Sequence, residues 1–83
     1  MTDEELIAQY LEPNPNRLGG ANWRVKERAV SVWALVGYWK TVGEDIEKVA
    51  AGYVVPPEAV AAALAYYNRH PELIDDKLAT NAL

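Results

Sequence analysis

Residues 45–70 read Asp-Ile-Glu-Lys-Val-Ala-Ala-Gly-Tyr-Val-Val-Pro-Pro-Glu-Ala-Val-Ala-Ala-Ala-Leu-Ala-Tyr-Tyr-Asn-Arg-His, and the way this stretch divides decides the fold. Asp45 can accept from the free N–H groups that open a helix, and Ile46, Val49, Ala50 and Tyr53 then recur at helical spacing. Val54-Val55-Pro56 interrupts the pattern. Pro57 suits a first helical turn, and Val60, Ala63, Leu64 and Tyr67 form a second apolar stripe. Two helices joined by three or four residues make a helix-turn-helix unit. Its joint needs a small residue where the helices meet, here Ala50, and an apolar seal, here Val49, Tyr53, Val55, Val60 and Ala63. Val54 stands where such turns usually carry glycine, and Gly52 lies two residues earlier. A helical hairpin that never meets DNA has similar needs, so spacing alone does not assign a function.

Upstream of this unit, Val32, Leu35, Val36 and Trp39 predict another helix with Gly43 as its stop. Downstream, Pro71 breaks the chain after His70, and Ile74 with Leu78 predicts a last short helix to Asn81. At the N-terminus Thr2 and Glu5 spell a capping box, and Met1 can staple onto Leu6. Leu6, Ile7, Tyr10 and Leu11 share one face of that helix, which Pro13 and Pro15 end; residues 12–21 form a connector with a Gly19-Gly20 turn. Residues 22–32 hold the one strand candidate, with Trp23 and Val25 facing one way and Arg24 and Lys26 the other. A solitary strand leaves its backbone unsatisfied, so it folds back near Glu27-Arg28 or pairs with a second copy. Glu-Arg makes a poor hairpin turn, which favours pairing between subunits.

The expected fold is therefore mainly α. It is a helix-turn-helix bundle, dimeric, with an N-terminal helix and a short β-strand or hairpin. The 83 residues make one domain: 1–21 helix and connector, 22–32 strand, 33–83 helix-turn-helix and C-terminal helices. A chain of this size hides only about 60% of its unfolded surface, which makes a homodimer the expectation. A hydrophobic share of 51% with 24% charged residues is globular composition. The acidic start Met-Thr-Asp-Glu-Glu is unlike a signal peptide, and the apolar run Ala29–Trp39 is too short to span a bilayer; a cytoplasmic protein is expected.

Chemistry is sparse. With no cysteine and one histidine, His70, the sequence offers neither a thiolate nor a zinc ligand set, and no cofactor is expected. Glu44-Asp45 and Asp75-Asp76 are adjacent carboxylates, but helix neighbours diverge by about 100° and seldom share a proton or metal. Gly19-Gly20 lacks the lysine of a phosphate loop. An enzyme acting on a small-molecule substrate is not expected.

Net charge is −4, yet residues 21–40 are locally basic. The second helix of the unit would show Pro56, Pro57, Glu58, Ala61, Ala62 and Ala65 to a major groove, whereas base reading uses Arg, Lys, Asn or Gln. DNA contact therefore falls to the basic stripe Arg24, Lys26 and Arg28, with Arg17. Aromatic residues crowd at Trp33, Tyr38 and Trp39 and at Tyr66 and Tyr67, so one of each group should point away from the core, towards a dimer or partner interface.

Val30-Ser-Val-Trp-Ala-Leu-Val-Gly-Tyr-Trp, Gly43-Glu-Asp-Ile-Glu-Lys-Val-Ala-Ala-Gly-Tyr and Pro57-Glu-Ala-Val-Ala-Ala-Ala-Leu-Ala-Tyr-Tyr, in this order, resemble a bacterial helix-turn-helix family. It is the family known as domain of unknown function number 433, which includes VapB-like antitoxins, and the resemblance covers residues 22–80. It implies a three-helix homeodomain-like domain preceded by a strand, encoded beside a PIN-like ribonuclease toxin that it binds and inhibits. It also implies repression of its own operon. Where the family carries Gly-Thr-Arg before Val-Pro-Val, this chain has Glu27-Arg28-Ala29 before Val30-Ser31-Val32, with the arginine shifted by one. The toxin contact would use Tyr66, Tyr67, Leu73, Ile74 and Leu78. A stand-alone DNA-binding regulator and a helical protein-interaction module are the alternatives.

Overall fold

The computed structural model describes residues 2–81. Five helices and one small hairpin follow one another: α1 (Asp3–Tyr10), β1 (Leu11–Glu12), β2 (Arg24–Val25), α2 (Val32–Thr41), α3 (Ile46–Tyr53), α4 (Pro57–Arg69) and α5 (Pro71–Asn81), with a 3-10 turn at Gly20–Asn22. The mainly helical fold with a short hairpin is the one expected from the sequence.

The capping box forms: Thr2 Oγ1 accepts from the Glu5 N–H at 3.2 Å, and Glu5 Oε1 accepts from the Thr2 N–H at 3.1 Å. These bonds hold the Glu5 carboxyl below the usual carboxylate range. The Met1 staple lies outside the described residues. α1 stops at Tyr10, before the prolines, because Leu11 turns extended and pairs with Val25; it is buried from that position rather than from the helix.

The strand differs most from expectation. Only Arg24–Val25 is regular, and its partner is the chain's own Leu11–Glu12, antiparallel, in place of a second subunit. The other edge is also satisfied within the chain. Val25 N–H donates to the Val30 carbonyl at 2.8 Å and Val32 N–H to the Trp23 carbonyl at 2.9 Å, so the segment does fold back through Lys26–Arg28. Ala29, at φ +55°, takes the left-handed conformation that closes this reversal.

α2 ends through Gly43 and Glu44, both at positive φ, with the Glu44 N–H donating to the Trp39 carbonyl at 2.8 Å. Asp45 then caps α3 by accepting from the Glu47 and Lys48 N–H groups. The core lies where all five helices meet. Leu35, Ile74, Val32, Val36, Val49 and Val60 are its largest fully buried side chains, and burial of each branched side chain contributes about 1.5–3 kcal/mol. α4 is central, burying Ala59, Val60, Ala62, Ala63, Ala65 and Tyr66, and it packs most extensively against α1. Its alanines have no bulk to hold a neighbouring helix away. Among the described residues, no single helix is long and apolar enough to cross a membrane.

Candidate functional site

α3 and α4 meet at a bend of 114° across Val54–Pro56, within the range of a helix-turn-helix corner. The seal is as the sequence predicts: Val49, Ala50, Val55, Val60 and Ala63 are buried, and Tyr53 is half-buried. The Val55 N–H returns to the Ala50 carbonyl at 3.1 Å. This closure requires Val54 to be left-handed, at φ +56° and ψ +52°. Valine therefore adopts the conformation for which such turns use glycine, against the steric preference of a β-branched residue. Its side chain is 64% exposed.

The second helix of the unit is not a free reading helix. α1 runs antiparallel along it: Glu4 near the start of α1 meets Arg69 at the end of α4, at 3.4 Å, while Gln9 and Tyr10 share a cleft with Val54 and Pro56 at the other end. Ala62 and Ala65, expected to face outward, are buried. The periodicity of α4 marks one apolar stripe, but alanines outside that stripe are buried as readily when other helices surround the axis. Pro56, Glu58 and part of Pro57 and Ala61 stay accessible, and none of these side chains donates a hydrogen bond.

The four cations assigned to DNA are put to different uses. Arg24 Nε donates to Glu12 Oε2 at 2.8 Å, a half-buried pair across the β1–β2 register. Lys26 Nζ donates to the Ala8 carbonyl at 2.6 Å, placing a cation at the C-terminal end of α1, which has no basic residue in its own last turn. Arg17 is exposed in the connector. Arg28 is exposed at the hairpin reversal and, among the described residues, neither it nor Arg17 has an ion-pair partner.

Two depressions flank the α3–α4 turn. A cleft of about 500 Å³ is bounded by Tyr10, Val25, Lys26, Arg28, Val54 and Pro56. A shallower hollow of about 530 Å³ lies between Arg28, Glu47, Ala51, Val54, Pro56 and Pro57. Val54, Pro56 and Arg28 border both and form the ridge between them. In the sequence Val54 stands out only for the missing glycine, with no role attached to it. The signal is nevertheless there: valine at a glycine position needs a reason.

At the C-terminal face, Tyr66 and Ile74 are core residues, 4% and 0% exposed, and offer no partner surface. Tyr66 stacks on Trp23 with ring centres 5.2 Å apart, and its hydroxyl donates to the Gly20 carbonyl at 2.6 Å. Tyr67 and Leu78 are half-buried, and Leu73 is exposed. The Tyr67 hydroxyl donates to Asp75 Oδ1 at 2.7 Å, and Lys40 Nζ donates to both, at 2.9 Å and 3.2 Å. The bond to Tyr67 raises the Lys40 ammonium above its ordinary value; Tyr67 and then Lys40 lower the Asp75 carboxyl. This exposed cluster clasps α2, α4 and α5 together. Burial raises the Tyr66 phenol.

The remaining aromatics mostly seal the chain's own seams. Tyr38 meets Tyr53 edge to face at 5.7 Å, and a Cβ on Gly52 would stand 2.9 Å from Tyr38 Cε2. Lys77 lies over the Trp33 ring at 5.7 Å. His70 closes α4, its N–H donating to the Tyr66 and Tyr67 carbonyls.

No family model, curated protein or solved structure matches this chain.

Proposed function

We propose that this protein is a non-catalytic, dimeric binding domain of antitoxin type, which neutralises a PIN-like ribonuclease toxin through protein contacts and uses its helix-turn-helix corner as a scaffold. The observation that supports the reading is the enclosure of α4: the helix in the recognition position is covered by α1 and carries no base-reading side chain on its accessible N-terminal part. The toxin contact is assigned to the outer side of α4 and α5, at Tyr67, Leu73 and Leu78, with Tyr66 and Ile74 beneath as support. Titration calorimetry with the product of the neighbouring gene tests it. Complex formation at micromolar concentration, weakened by Leu73→Glu, is expected; no heat and no co-elution would overturn the reading.

A second reading, a DNA-binding regulator, is favoured by Arg28, an exposed cation without an ion-pair partner among the described residues, standing beside the helix-turn-helix corner. Fluorescence anisotropy against the upstream duplex and a scrambled duplex, at two salt concentrations, separates the two readings.

A further inference from the structure

We infer that the surface over the α3–α4 turn is where a second copy of this chain docks, the Val54 side chain of each copy entering the hollow beside the other's Val54 while Arg28 of each pairs with Glu47 of the other. The inference deepens the dimeric side of the function proposed above and is tested without any toxin, so that either can fail alone.

Val54 carries the argument. In the isolated chain its side chain is unfavourable twice over: a β-branched residue is held at φ +56°, and 64% of an apolar residue faces water. Glycine would relieve both without touching the core. A valine here is explained by contact with something outside the chain.

The surroundings favour a second copy as that contact. A twofold interface must be self-complementary, with residue i of one copy meeting j of the other and j meeting i. This surface holds both halves of such a match: a ridge at Val54 and Pro56, and beside it a shallow hollow whose lining includes Ala50, Ala51, Val55 and Pro57. Its charges match in the same way. Arg28 and Glu47 border the hollow, both exposed and neither in an ion pair among the described residues. One cation and one anion leave the face neutral, so a chain of net charge −4 meets no local repulsion from its own copy. A phosphate backbone, by contrast, would meet the Glu47 carboxylate on the same ground. A stable dimer needs about 800 Å² from each partner, a modest share of the 5004 Å² that this chain exposes.

The test is sedimentation velocity on the full chain from micromolar to millimolar concentration. The expected mass rises towards twice the 9.2 kDa of one chain. Arg28→Glu and Glu47→Arg should each weaken association at least tenfold, since each places like charges together twice across the twofold axis. An equimolar mixture of the two variants restores opposite charges at both positions and should dimerise again. Val54→Gly should also weaken association tenfold, while circular dichroism of the dilute chain shows a melting temperature no lower than the parent's. A monomer throughout the range, a dimer insensitive to all three substitutions, a mixture that stays monomeric, or association only when duplex DNA is added would each overturn the inference.

Discussion

The Tyr66 hydroxyl donates to the carbonyl of Gly20 at 2.6 Å, joining residues 46 positions apart and fastening the connector onto α4. The close approach needs the glycine, because a Cβ at position 20 would stand 3.2 Å from that hydroxyl and 2.7 Å from Leu73 Cδ1. Tyr66→Phe should lower stability by about 0.5–1.5 kcal/mol, since the half-buried hydrogen bond is lost while the ring keeps its stack on Trp23. Urea denaturation monitored by Trp fluorescence measures it.

The same phenol gives an alkaline limit. Burial raises the Tyr66 pKa above the ordinary 10.0, so the unfolded chain ionises first. The contribution of this group is complete below pH 10.0 and is lost as pH climbs towards the folded-state value. Thermal melts of the parent should fall across that window, and Tyr66→Phe should flatten the fall. An equal slope in the variant would assign the loss to other tyrosines.

The Asp75 carboxyl, lowered by Tyr67 and then by Lys40, behaves oppositely. Its contribution is present above the ordinary carboxylate value and disappears as pH drops through the lowered one. Carboxyl carbon NMR should find Asp75 titrating below the ordinary aspartate value, and Tyr67→Phe should move it back towards that value.

Arg24 and Arg28 should separate stability from binding. Arg24→Ala removes the partner of Glu12 and should cost up to about 1 kcal/mol of folding stability. Arg28→Ala, on an exposed side chain without an ion pair among the described residues, should change stability by less than about 0.5 kcal/mol. If DNA is bound, Arg28→Ala alone should reduce the salt slope, by about one unit for each phosphate that the guanidinium no longer neutralises. Chemical denaturation and anisotropy together read both.

Ala62 tests the enclosure of α4. Were it on an outward face, Ala62→Leu would be neutral; being 0% exposed, it should lose about 1–3 kcal/mol through overpacking. Thermal melts decide between the two.

Local signals in the chain were sufficient for the helices. Thr2 with Glu5, Asp45, Pro57 and the Pro71 break act within one helical turn, so each boundary they predict was readable from neighbours alone. The apolar spacing of Val49, Ala50, Val55 and Val60 likewise identified the corner, because its seal depends on side-chain size at known positions.

Three matters were settled by residues distant in sequence. The partner of Arg24–Val25 is Leu11–Glu12, a choice that propensity cannot make because the backbone of a short strand fits any free edge. Arg24 is paired with Glu12 and the Lys26 ammonium hydrogen-bonds the Ala8 carbonyl, across 12 and 18 residues, so a basic stripe in the sequence became two structural clasps. α1 came to lie along α4, turning Ala62 and Ala65 inward, and alanine carries no mark of which side will be covered. The sequence by itself determined where the helices begin, where all but α1 end, and that two of them form a corner. Tertiary packing alone decided which of their faces remain for a partner, since burial depends on neighbours that local spacing does not specify.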